Sequence, residues 1–131
     1  MVQNRVDISE SELEVLRTLW DAGPSTVRDV EGHLVPRKRR WAYTTIQTLL
    51  NRLEAKGYVK SVKTGLVRVF EPTVSRDNLL GQRLEDLAQE LCGGAATPLV
   101  KALVRDHCFS ADEIAEFRAL IRELNKNQKK T

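Results

Sequence analysis

Two cysteines in 131 residues, Cys92 and Cys108, are too few for a disulfide framework, and neither belongs to a Cys-x-x-Cys pair of the metal-holding kind. They are expected to be plain reduced thiols. Long apolar runs are also missing. Nothing approaches the roughly 18 residues that span a bilayer, and the opening MVQNRVDISE has no signal-peptide core. A cytoplasmic protein without membrane insertion is expected. Catalytic signatures are absent as well: there is no Gly-x-Ser-x-Gly elbow, no phosphate loop, no His-Glu-x-x-His and no pair of carboxylates in an apolar setting. His33 and His107 have no partner at metal-ligand spacing. The chain is therefore expected to be neither an enzyme nor a holder of a metal or cofactor. At 41% hydrophobic residues it has the composition of a globular protein, sized for one domain or two small ones.

Acid is the most informative absence. From His33 to Val69 the cations Arg37, Lys38, Arg39, Arg40, Arg52, Lys56, Lys60, Lys63 and Arg68 face the single acid Glu54. Residues 73–131 balance their charges. Such a basic stretch suits a polyanion, because neutralising phosphates releases condensed counterions and gives salt-sensitive binding. A basic run alone is often only a solvated loop, so the residues that follow it decide the reading.

Those residues are WAYTTIQTLL, at the start of a helix expected over about Ala42 to Lys56 with Gly57 as its left-handed stop. Ile46, Leu49, Leu50 and Leu53 form its apolar face. At about 100° per residue, Thr44, Gln47, Thr48 and Asn51 fall opposite, as hydrogen-bonding side chains rather than the Glu and Lys of a solvated helix. That composition suits reading base edges. Two helices precede it. Ser9-x-x-Glu12 has the form of a capping box, followed by Leu13, Leu16, Leu19 and Trp20 at helical spacing up to Gly23-Pro24. Ser25 or Thr26 can cap the second, which carries Val27, Val30 and Leu34 and stops before Pro36. After the third helix, YVKSVK and LVRVFE read as two strands joined by Thr64-Gly65 and closed by Pro72.

Three short helices and a cationic hairpin make a winged helix-turn-helix. Its third helix would enter the major groove N-terminus first, and its hairpin would lie along the phosphate backbone. Arg37 to Arg40 then sit where the positive end of that helix's dipole also faces DNA. The fold class expected is mainly α with a small β-hairpin, with a DNA-binding domain over 1–73 and a helical dimerisation domain over 74–131. Winged helices also serve as protein-interaction modules, so the alternative is a module whose helical tail docks a partner.

The stretches SESELEVLRTLWDAGPSTVRDV, WAYTTIQTLLNRLEAKGYV and GG…FSADEIAEFRALI resemble the BlaI/MecI/CopY family of penicillinase-type transcriptional repressors, over residues 8–124 and most specifically over Trp41 to Val59. The resemblance implies a homodimeric repressor on palindromic double-stranded DNA operators. It places Thr44, Thr45 and Gln47 near bases and the wing from Lys63 to Arg68 near phosphate. The full DNA-binding set expected is Arg39, Arg40, Tyr43, Thr44, Thr45, Gln47, Thr48, Asn51, Arg52, Lys63 and Arg68. Thr45 borders the core at the edge of the polar face, and a helical threonine often bonds its own backbone instead.

Beyond residue 74, Leu80, Leu84, Leu87 and Leu91 form a narrow stripe close to a coiled-coil seam. Leu99, Val100, Leu103 and Val104 follow the Gly93-Gly94 break, and Ser110-x-x-Glu113 caps a helix with Ile114, Phe117, Ile121 and Leu124 on one side. Three short helices bury a marginal core, which a second copy would complete. The dimerisation set expected is Leu80, Leu84, Leu87, Leu91, Leu103, Ile114, Phe117, Ile121 and Leu124, and an isologous dimer would match a two-fold operator. Two departures from the resemblance narrow the signal. The tail RELNKNQKKT has no Cys-x-Cys pair of the copper-responsive members, and Ala102-Leu103 stands about where β-lactam-responsive members are cut at an Asn-Phe bond. Relief is expected by proteolysis elsewhere or by another signal, with a membrane sensor-protease as a candidate partner.

Overall fold

Ser9 and Thr26 start the first two helices by the same device. The Ser9 hydroxyl accepts from the Glu12 N–H at 3.1 Å and the Glu12 carboxylate accepts from the Ser9 N–H at 2.9 Å. Thr26 and Asp29 repeat this reciprocal cap at 3.1 and 3.0 Å. The structure is a computed structural model describing residues 8–35 and 41–129. In chain order it contains α1 (Glu10–Ala22), α2 (Val27–Leu34), α3 (Tyr43–Ala55), β1 (Val59–Thr64), β2 (Val67–Pro72), α4 (Arg76–Cys92), α5 (Thr97–Asp106) and α6 (Ala111–Lys129). The fold is mainly α with one antiparallel hairpin, a winged helix-turn-helix followed by helices.

Of the two expected caps for α2, Thr26 serves and Ser25 does not. Ser25 is drawn instead into a two-bond bridge with Phe70, at 2.9 and 2.8 Å, which adds a minimal third strand to the hairpin. Strand pairing runs from Val59↔Pro72 to Thr64↔Val67. The turn is therefore Gly65-Leu66, one residue later than Thr64-Gly65. Thr64 is β-branched and pairs, and Gly65 takes the positive φ of 64°. α3 begins at Tyr43 rather than Ala42 and ends ahead of Gly57, which adopts φ 88° as the expected stop.

The core of this winged unit joins Val15, Leu16 and Leu19 of α1, Val27, Val30 and Leu34 of α2, and the whole apolar face of α3 to Val59 and Phe70 of the hairpin. Trp20 is half-buried at its edge, its indole N–H donating to the Val74 carbonyl at 2.8 Å. The Arg76 guanidinium lies 5.4 Å over the Trp20 ring and pairs with Asp21 at 2.8 Å, and Leu79 is buried in the core. The start of α4 thus belongs to the winged unit, and the chain divides into two compact units between Arg83 and Leu84, inside α4, rather than at 73/74.

In the second unit α4 ends at Gly93 and Gly94, with φ of 61° and 93°, and Ser110 and Glu113 form the expected reciprocal cap on α6. α4 and α6 are longer than expected, at 17 and 19 residues.

Among the described residues, one charged group lies inside the winged unit. Glu12 is 2% exposed, and its carboxylate accepts from the Lys56 ammonium at 2.6 Å. Burial alone would raise its pKa, but the Lys56 ammonium and the Ser9 N–H together hold it below the ordinary value of 4.5. A carboxyl lowered in the folded state contributes stability above its unfolded value, and that stability is lost as pH falls through the folded one. Removing one partner of a buried pair costs about 3–5 kcal/mol, and Lys56 keeps some access to water, so Glu12→Ala should cost about 3 kcal/mol including the cap. Thermal melts at neutral pH check the size of that loss. As pH falls from 4.5 through the lowered folded value, melts should show a shrinking penalty for Glu12→Gln, because acid finally removes the same charge from the parent.

Candidate nucleic-acid interface

Burial of Ile46, Leu49, Leu50 and Leu53 fixes the roll of α3 and turns its other face outward. Tyr43, Thr44, Thr45, Gln47, Thr48, Asn51 and Arg52 are all exposed there. Ala42 at the N-cap offers no side-chain acceptor, so the cap residue does not compete for the N–H donors at the helix's positive end.

The hairpin register settles which cations join this face. Side chains alternate along a strand, so Val59, Ser61 and Lys63 share a face with their partners Pro72, Phe70 and Arg68. Val59 and Phe70 are buried against the helices. Lys63 and Arg68, farther out on that face, therefore overhang the α3 side. Lys60 is on the opposite face and pairs with Glu71 at 3.2 Å. Lys56 is taken by Glu12. Among the five described cations of the basic stretch, Lys56 and Lys60 are thus engaged with acids, and Lys63 and Arg68 point where a polyanion would lie.

Between α2, α3 and the hairpin runs a groove of about 370 Å³, lined by Thr26, Val27, Arg28, Tyr43, Gln47, Asn51, Lys63, Leu66, Val67, Arg68 and Phe70. It brings together Tyr43, Gln47, Asn51, Lys63 and Arg68 of the expected set. Thr44, Thr45, Thr48 and Arg52 are exposed on α3 but do not line it. Thr48 donates its hydroxyl proton to the Thr44 carbonyl at 2.9 Å, the back-bonding foreseen for Thr45. Arg39 and Arg40, with the rest of the basic loop, lie outside the described residues. Arg28 was not expected: its guanidinium sits 5.4 Å over the Tyr43 ring at the mouth of the groove. Asp29 and Glu31 mask it in a charge count, and its exposed position between buried Val27 and Val30 was the available signal. His33 and His107 are exposed, and among the described residues no cluster of side chains could hold a metal ion.

The sequence profile of the penicillinase repressor family matches residues 8–123. The chain belongs to the penicillinase repressor family. It is 28% identical over 123 residues to the penicillinase repressor of Bacillus licheniformis, covering 94% of each chain. It is 34% identical over 120 residues to the transcriptional regulator BlaI of Mycobacterium tuberculosis, covering 89% of this chain and 84% of the relative. The solution structure of monomeric B. licheniformis BlaI in complex with the blaP half-operator is 33% identical, with a TM-score of 0.47 over 56% of this chain and 88% of that one.

In this penicillinase-repressor fold, Gln47 lies on the helix and Lys63 on the wing, so their losses should differ in kind. A base-edge contact discriminates by about 1–3 kcal/mol, whereas a phosphate contact carries no sequence information. Gln47→Ala should reduce the ratio of affinities for a selected operator and a scrambled duplex by that amount. Lys63→Ala should weaken both equally and reduce the salt slope by about 0.9. Titrations on the two duplexes at several salt concentrations distinguish these outcomes.

Proposed function

We propose that this DNA-binding transcriptional repressor acts in the cytoplasm, without catalysis, as a homodimer on a two-fold operator. DNA reading is carried by the groove, where the polar face of α3 and two cations of the wing converge on one side of the winged unit. Dimerisation is supported by what the second unit leaves uncovered. Among the described residues from Leu84 onward only Ala88 is buried. Leu84, Leu87, Leu91, Leu103, Ile114, Phe117, Ile121 and Leu124 are all exposed, and so is Leu80 at the end of the winged unit. Helices with this much apolar surface in water call for a covering partner, and a second copy supplies one of matching composition.

Relief of repression follows from the same arrangement. A cut, or a ligand, that separates the helical units converts a two-site clamp into two weak single-site binders. A membrane sensor-protease is the partner that would make such a cut, at a bond other than Asn-Phe.

The test is Leu84→Asp. A carboxylate with no partner in an apolar seam typically costs several kcal/mol, so the variant should sediment as a monomer. Its winged core, which does not include Leu84, should stay folded. Gel shifts should show affinity for a full operator falling to near that for a half-site, with non-specific binding changed little. A variant that stays dimeric, or a monomer that binds the full operator as tightly as the parent, would assign the helical unit to a different partner.

A further inference from the structure

Glu54 is the one acid in the basic stretch, and it stands at the end of α3 beside the wing that is meant to receive phosphate. The structure does not let it pair with a wing cation directly. The Ser61 hydroxyl of β1 donates to the Glu54 carboxylate at 2.7 Å, and the Arg68 guanidinium of β2 donates to the Ser61 oxygen at 2.9 Å. Register fixes Ser61 and Arg68 on the same face of the hairpin, two pairs apart, since Ser61 faces Phe70 and Lys63 faces Arg68.

The direction of these bonds has a chemical consequence. A serine hydroxyl has one proton and two lone pairs. Glu54 takes the proton, which turns a lone pair toward Arg68. Ser61 then has no donor left for a phosphate oxygen, while the guanidinium has five N–H donors and uses one here. Arg68 can therefore keep its bond to Ser61 and present a second edge to phosphate in the forked geometry that favours arginine there.

We propose that Ser61 is a positioning residue, a hydroxyl spacer that holds Arg68 out of a direct ion pair with Glu54 and aims it over the α3 groove toward DNA. The proposal rests on the DNA-binding reading above. Without the hydroxyl, carboxylate and guanidinium face each other across an emptied gap. Arg68 then collapses onto Glu54, and its charge is withdrawn from the polyanion.

Ser61→Ala should therefore lower affinity for any duplex about as much as Arg68→Ala does, roughly five- to tenfold, with a salt slope smaller by about 0.9. The two changes should not add. Ser61→Thr, which keeps the hydroxyl at a strand position that suits threonine, should bind as the parent does. Glu54→Gln in the Ser61→Ala background should restore most of the lost affinity, because the competing charge is gone, whereas a merely structural role for Ser61 would leave that loss in place. Nuclear magnetic resonance of the Arg68 guanidinium in the free full-length protein reads the collapse without DNA. The proposal is overturned if Arg68 stays apart from Glu54 in Ser61→Ala, or if the loss persists in the Glu54→Gln background. An affinity indifferent to Arg68→Ala overturns the wing-contact reading and the spacer with it, while the resonance result still reports whether the pair forms.

Discussion

The far end of α3 is held by a charge pair whose carboxylate is buried and whose ammonium is half-buried. Glu12 lies in the first turn of α1, Lys56 closes α3, and the 44 positions that separate them take in α2, α3 and the basic loop. The pair tolerates little change in geometry, because the carboxylate has given up its hydration and relies on the ammonium. The pair also joins two functions in one carboxylate, since the same group caps α1 through Ser9. With the roll of α3 set by its four buried aliphatic residues and its end set by this pair, the helix has little freedom to change the face it presents. The hairpin is aligned to the same frame, because the Ser25–Phe70 bridge ties β2 to the start of α2.

That frame sorts the cations. Along the sequence they form one undifferentiated block, but among the described residues Lys56 is paired against the core, Lys60 is paired across the hairpin, and Lys63 and Arg68 lie beside the groove. Net charge accounts for attraction to a polyanion at long range. Arg28 shows the converse, a groove-lining cation that contributes nothing to the local charge excess because acids follow it in sequence.

Elements with a covalent or periodic signature were legible before the structure. Both capping residues of α1, the apolar face of α3, the Gly57 stop and the α6 cap stand where spacing placed them, since each depends on neighbours within one helical turn. Apart from one-residue shifts at the hairpin turn and the start of α3, the departures are non-local. Ser25 leaves its capping role for a partner 45 residues away. The unit boundary moves into α4 because Trp20, Asp21 and the core reach across to Val74, Arg76 and Leu79. Thr44, Thr45, Thr48 and Arg52 share an exposed helix face with Gln47 and Asn51, yet which of them line a groove depends on where the hairpin rises, and no helical wheel contains that information.

A helical unit that buries, among its described residues, one alanine side chain has little intrinsic reason to stay ordered. Its order is governed by mass action: whatever covers its leucines stabilises it by an amount that grows with concentration. Where the cover is a second copy, the folded fraction of the unit and the occupancy of a two-fold site both follow the number of chains in the cell. Dilution through growth, or slower synthesis, then loosens repression with no change to any residue that touches DNA.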